Sequence, residues 1–222
     1  MVPVVALLAL GVALEAAGAG APRRQEARAR VRDYATVKAV LKTSQGDVTL
    51  RFLNDKAPNT VKAFVDLAAS GLYDGTLFHR VIPGFVLQGG DPLTRDPKKT
   101  AIWGTGTVTD RSGAPVTIKA ELNETTHRRG TVSMAHMQSD PNSASSQFFI
   151  VLKDSPFLDR QWTAFAEVES GMEVVDRLVE LSNADPTDPL TGGRPRSYQK
   201  LQKVEIVSPG EPEPVPKKKT KR

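Results

Sequence analysis

The run Phe78-His79-Arg80-Val81-Ile82-Pro83-Gly84-Phe85-Val86-Leu87-Gln88-Gly89-Gly90-Asp91 holds two short apolar segments, 77–82 and 85–87, on either side of Pro83-Gly84. A Pro-Gly pair between segments rich in β-branched and aromatic residues marks a tight turn between two strands. Side chains on a strand alternate between faces, so His79 and Arg80 point opposite ways while Val86 and Gln88 share a face. Arg80 and Gln88 beside Phe85 and Val86 give an apolar floor with one fixed cation and one amide. A groove that holds an apolar ring and addresses its polar edge needs that combination.

Working outward, residues 37–43 and 48–53 alternate apolar and polar around Ser44-Gln45-Gly46-Asp47, which predicts a β-hairpin. Pro58 opens a helix over 58–70, with Val61, Phe64, Val65 and Ala68 on one stripe and Gly71 ending it. Residues 91–119 are polar and rich in Gly, Pro and Lys, and predict a long loop in which Trp103 serves as a pin. Strands follow over 131–135, 147–152, 162–168 and 201–207, with a second amphipathic helix over 172–181 through Met172, Val175, Leu178 and Val179. Alternation over 147–150 puts Gln147 and Phe149 on one face, Phe148 and Ile150 on the other. Many strands and two helices without βαβ alternation argue for a mainly β fold, a closed antiparallel barrel capped by the helices.

At 222 residues and 39% hydrophobic content the chain can bury one good core. It divides into 1–21, a signal-like segment; 22–35, an Arg-rich spacer; a folded domain over 36–208; and 209–222, a Pro/Lys-rich tail expected to be disordered. The apolar run 2–14 followed by Ala17-Gly18-Ala19 suits a cleaved signal peptide and is too short for a stable membrane span, although no Lys or Arg precedes it. Export to a periplasm or to the outside is therefore expected, with a cytoplasmic location if the segment is not a signal. The absence of Cys excludes disulfides, thiol nucleophiles and Cys-ligated zinc. A net charge of +5, much of it in the ends, gives a nucleic-acid partner little support, and the basic end 217–222 reads as a solvated tail.

Three scattered His residues form no ligand spacing, so neither metal nor cofactor is expected. There is no Gly-x-Ser-x-Gly elbow or phosphate loop, and a hydrolytic triad would have to be assembled from Ser146, His79 or His136 and Asp140. On spacing alone Arg80 fits a surface ion pair, and Phe149 and Leu158 fit core packing.

The quoted run resembles the signature of the cyclophilins, the peptidyl-prolyl cis-trans isomerases. The resemblance continues at Ser133-Met134-Ala135-His136, at Ser146-Gln147-Phe148-Phe149-Ile150, and at Phe157-Leu158-Asp159 leading into Phe165-Ala166-Glu167-Val168. It covers roughly 37–207, and bacterial members are the most similar in kind. It implies a barrel of eight strands, a monomer, and proline-containing polypeptides as partners. It moves Arg80 and Gln88 to catalysis, with Gln88 holding a substrate carbonyl. Phe85, Val86, Phe149 and Leu158 would line the proline pocket, with Phe157 and Trp162 at its rim. Ala135 and His136 would pair with the peptide backbone, and Gln147 would support the groove beside Arg80. His127 is expected to be structural, and His79 to be a structural hydrogen-bonding partner. A proline-peptide binding or chaperone module with little turnover is the alternative. Three positions depart from better-known members: Phe157 stands where cyclosporin-sensitive ones carry Trp, Trp162 where many carry His, and His136 where Asn is common.

Overall fold

The structure, a computed structural model, describes residues 34, 36–184 and 193–208. The signal-like segment, the spacer up to residue 33 and the tail 209–222 lie outside them. Strands β1 (Lys38–Thr43) and β2 (Gly46–Phe52) form the predicted hairpin, with Ser44 and Gln45 as its loop. Thr43 Oγ1 accepts from Gln45 N–H and donates to Gly46 O, which fixes the turn. Helix α1 (Pro58–Ala69) follows, then β3 (Leu77–Phe78), β4 (Arg80–Ile82) and β5 (Val86–Gly89). After them come a ribbon of β6 (Val108–Thr109) and β7 (Pro115–Val116), then β8 (Thr131–Met134), β9 (Phe148–Val151), β10 (Ala164–Ser170), helix α2 (Met172–Ser182) and β11 (Gln199–Val207).

The main sheet runs in the order β3-β11-β1-β2-β10-β8-β9-β5-β4, every pair antiparallel. Its two ends, β3 and β4, belong to one strand bent at His79: Leu77 and Phe78 pair with β11, and Arg80 to Ile82 pair with β5. That bend brings the two ends of the sheet together as one strand, giving a nearly closed barrel of eight strands.

Alternation along the strands separates two apolar clusters. Phe148 and Ile150 of β9 point into the barrel with Leu41, Leu50, Leu87 and Val132. Phe64 of α1 caps that interior, stacking on Tyr73 at 4.9 Å and meeting Phe148 and Phe165 at 5.5 and 5.2 Å between ring centres. Phe149 and Val151 point outward, where they join Val86 and Leu158 in a second cluster flanked by Phe85, Ala135 and Trp162. The stripe of α1 is buried as predicted, while in α2 the buried set is Val174, Val175 and Leu178, with Met172 and Val179 half-buried against the same core.

The first turn of α1 has no side-chain cap of its own, because Ala57 precedes it. Glu121, from a distant loop, takes that role: its carboxylate accepts from the backbone N–H of Asn59 and Thr60 and from both side chains. Burial alone would raise the Glu121 carboxyl, but these hydrogen bonds outweigh it and hold it below the ordinary glutamate value.

The structure departs from expectation in three places. Phe85 lies in the turn, donating its N–H to Ile82 O, with Gly84 at φ 73°, so β5 begins at Val86 and runs on to Gly89. β10 begins at Ala164, because Gln161 and Trp162 both turn back to Leu158 O; Trp162 therefore sits on a rim loop. The 91–119 stretch is partly ordered into two 3-10 turns, Pro92–Arg95 and Pro97–Ile102, and the β6–β7 ribbon. Trp103 does pin it, donating Nε1–H to Asp96 O and packing edge-on against Tyr198 at 5.0 Å.

Candidate active site

The strand register sets one row of side chains across four strands: Arg80 opposite Gln88, Gln88 opposite Phe149, and Phe149 opposite Ser133. The outward members of that row open onto a cleft of about 490 Å3. Its floor is Val86, Phe149 and Leu158, all more than nine-tenths buried. Phe85 and Phe157 form one wall, 5.5 Å apart between ring centres, and Phe157 is 62% exposed at the rim. Trp162 forms the opposite wall, edge-on to Phe149 at 5.6 Å. Ala135 and His136 complete the lining with Arg80 and Gln88. Gln138 and Gln161 also line it; as exposed polar residues in turn-rich segments they carry no sequence signal.

Gln147 stands apart from the other expected residues. It faces a smaller adjoining cleft of about 290 Å3, shared with Gln88, Ala135 and His136 and bounded by residues 104–107. It is joined to Arg80 by a hydrogen-bonded relay whose direction is fixed at both ends. Arg80 is donor-only, so its NH1 gives to Gln88 Oε1 at 3.3 Å. Gln88 Nε2 then gives to Gln147 Oε1 at 3.0 Å. Gln147 Nε2 gives to the acceptor-only carbonyls of Gly104 and Gly106 at 3.0 and 2.9 Å. Neither amide can be turned over without setting like against like. Gln88 retains a second N–H for a substrate carbonyl.

The loop that ends the relay is tied down by Asp91, which is fully buried. Its carboxylate accepts from the N–H groups of Leu93, Gly104 and Gly106. A Cβ at position 106 would lie 1.9 Å from Asp91 Oδ1, so only Gly permits this approach. Sequence alone did not reveal Asp91 as this hub, since its partners lie 13 and 15 residues away in an irregular loop.

Arg80 is half-buried, and burial draws its guanidinium below its ordinary value, which lies so far above neutrality that the cation persists. His127 lies behind the floor, its ring 6.4 Å from Phe149, with Nδ1 against Asp159 Oδ1 and Nε2 against Ser133 Oγ. Burial pushes its imidazole below the usual value and outweighs the opposing pull of Asp159. His79 corrects an expectation. It is 5% exposed and lies against Gly104, yet neither ring nitrogen meets a partner in hydrogen-bonding geometry. Burial lowers its pKa, against the pull of Asp91. The N–H of Ala135 is already given to Gln147 O, so backbone pairing by Ala135 falls to its carbonyl.

Among the described residues no group of three His, Cys, Asp or Glu side chains could hold a metal ion, and no helix is long and apolar enough to cross a membrane. The row of Arg80, Gln88 and Phe149 above an apolar floor provides a cation, an amide and a ring-sized hollow; the Ser133 hydroxyl that meets His127 Nε2 is buried behind the floor and does not line the cleft.

Comparison with known proteins agrees with this geometry. Residues 38–207 match the family model of the cyclophilin type peptidyl-prolyl cis-trans isomerases. The probable peptidyl-prolyl cis-trans isomerase of Brucella abortus is 43% identical over 149 residues, 66% of this chain and 73% of that one. The peptidyl-prolyl cis-trans isomerase of Synechococcus elongatus is 43% identical over 148 residues, 67% of this chain and 90% of the relative. In structure, the chain is similar to a cyclophilin type isomerase of Cryptosporidium parvum crystallised in the presence of the dipeptide Ala-Pro, with TM-score 0.64, 29% identity and 77% and 99% of the two chains covered. The chain belongs to the cyclophilin-type peptidyl-prolyl cis-trans isomerases.

Proposed function

We propose that the cleft binds an X-Pro segment of a polypeptide with the proline ring on Phe149, Val86 and Leu158, and that Arg80 accelerates rotation about the X-Pro bond without covalent chemistry. The barrier to that rotation is amide resonance, roughly 18–20 kcal/mol. As the C–N bond twists, resonance is lost and the prolyl nitrogen regains a lone pair. A guanidinium aimed at that nitrogen stabilises the twisted form more than the planar one, which is the differential binding catalysis requires. The observation that carries this reading is the relay: Gln88 and Gln147 hold Arg80 at the lip of an apolar hollow.

Arg80 does not suffice alone. Each tenfold in rate needs about 1.36 kcal/mol, and a charge-assisted hydrogen bond supplies roughly 1.5–3. Several powers of ten therefore also draw on ring anchoring by the apolar floor and on exclusion of water from the cleft. Gln88, through its remaining N–H, is suited to hold a substrate carbonyl, and the Ala135 carbonyl to pair with the peptide backbone as an added strand does. The Ala-Pro dipeptide present with the Cryptosporidium parvum relative supports a proline-containing ligand here.

Kinetics of Arg80 variants test the proposal. Arg80→Ala should lower kcat/KM by about 10²–10³, the range for removing one transition-state donor. Thermal stability should be unaltered, since the side chain is not core packing. Arg80→Lys should recover little, because a lone ammonium cannot keep the planar fork in place. Near-normal turnover by Arg80→Ala would reject the role.

A further inference from the structure

We propose that the His136 side chain, in its imidazolium form, clamps Trp162 in place as the wall of the proline cleft, which makes His136 a positioning residue for substrate binding. His136 Nδ1 lies 2.8 Å from Met137 O and Nε2 lies 3.0 Å from Gln161 O. A carbonyl oxygen only accepts, so both contacts are hydrogen bonds only when both ring nitrogens carry a proton. Neutral imidazole has one N–H, and its other nitrogen would then turn a lone pair toward a carbonyl.

The ring so held lies flat on Trp162, centres 3.8 Å apart and planes 23° from parallel. A cation over an indole face is attracted by the ring's quadrupole, so the charge that makes both hydrogen bonds also strengthens the stack. Trp162 in turn stands edge-on to Phe149, which forms the floor. One side chain thus bridges the loop after β8 to the loop before β10, and both loops line the cleft.

The other charged groups on these two loops are Asp140, which accepts from Asn142 N–H, Asp154, which accepts from Arg129 N–H, Asp159, which is turned to His127, and Lys153 and Arg160; none of them is a hydrogen-bond partner of the His136 ring. Arg80 lines the same cleft. Both hydrogen-bond partners of the His136 ring are carbonyls. The clamp is therefore expected to hold while both ring nitrogens carry a proton and to loosen when one is lost.

The role at the cleft rests on the proline-binding reading above, whereas the clamp itself can be read without turnover. The chain has two Trp residues, so Trp103→Phe leaves Trp162 as the sole indole. An imidazolium in contact with an indole quenches its emission. Trp162 emission is expected to rise with pH as the His136 ring loses its second N–H, and His136→Asn is expected to abolish that rise. Should Trp103→Phe fold poorly, the difference in emission between the full chain and its His136→Asn form gives the same reading. For a short proline peptide, KM should rise about two- to tenfold either over the pH interval in which the emission changes or on His136→Asn, the size of one lost hydrogen bond, while kcat changes much less. Emission independent of pH, or a titration surviving in His136→Asn, would overturn the clamp. Titrating emission with a KM indifferent to both pH and substitution would overturn its role at the cleft. Absence of turnover by every form would instead count against the reading of the cleft, and the emission would still report on the clamp.

Discussion

At the scale of single residues, Phe157 is expected to affect a proline substrate and the inhibitor cyclosporin differently. Its ring keeps an apolar wall beside Phe85, but it has no N–H to offer at the rim. A proline ring needs only the wall. Cyclosporin, which meets an indole N–H at this place in sensitive family members, would lose a neutral hydrogen bond of about 0.5–1.5 kcal/mol and leave an acceptor unpaired at roughly 1–3 more. Phe157→Trp should therefore tighten cyclosporin inhibition by about tenfold or more while turnover stays within a few-fold. Inhibition of both forms in one peptide assay checks this; nanomolar inhibition of the unaltered chain, unmoved by the substitution, would contradict it.

At the scale of elements, the site is a property of register. Because β4, β5 and β9 align Arg80, Gln88 and Phe149 in one row, polar support for Arg80 reaches it sideways across strands and ends in the loop over Gly104 and Gly106. Gln147→Ala removes the middle of that path. It should lower kcat/KM about three- to tenfold through a less constrained Arg80, and the amides of residues 104–106 should exchange with solvent faster. Kinetics together with amide exchange check the two halves, and unaltered values for both would show the relay idle. The relay also marks where the sequence stops being informative. Strand alternation revealed the barrel and both helices, because periodicity and local turn chemistry carry those signals, whereas the residues expected at the cleft came from the resemblance and left out Gln138 and Gln161. The bonds from Gln147 to Gly104 and Gly106, the cap that Glu121 places on α1, and the bond between the His136 ring and Gln161 O join segments 25 to 62 residues apart. No local pattern encodes such contacts.

At the scale of the whole molecule, two buried imidazoles tie stability to pH. His79 and His127 are held neutral by burial, their pKa values below the ordinary one near 6.5. The unfolded chain binds protons near that pH while the folded chain does not, so stability is complete above about pH 6.5 and falls as pH drops below it, by up to about 1.4 kcal/mol per histidine per pH unit. Melting temperature should drop between pH 7.5 and 5.5, by roughly 2–4 °C per kcal/mol for a chain of this size, and His127→Gln should flatten the decline; an unchanging melting temperature would contradict this. We also propose, from the apolar run 2–14 and Ala17-Gly18-Ala19, that the mature chain is exported and begins near Gly20. N-terminal sequencing of protein from its native host decides it, and intact Met1 in the cytoplasm would contradict it. The central claim is that the Arg80 cleft turns over prolyl bonds and does more than hold them. The direct measurement is exchange between cis and trans isomers of a short X-Pro peptide, followed by NMR with the peptide in large excess over the unaltered chain. Uncatalysed exchange takes tens to hundreds of seconds at 25 °C. The account predicts that the whole peptide pool interconverts far faster than this, and that Arg80→Ala returns it most of the way to the uncatalysed rate. A peptide that binds in the cleft while its isomers exchange at the uncatalysed rate would contradict it.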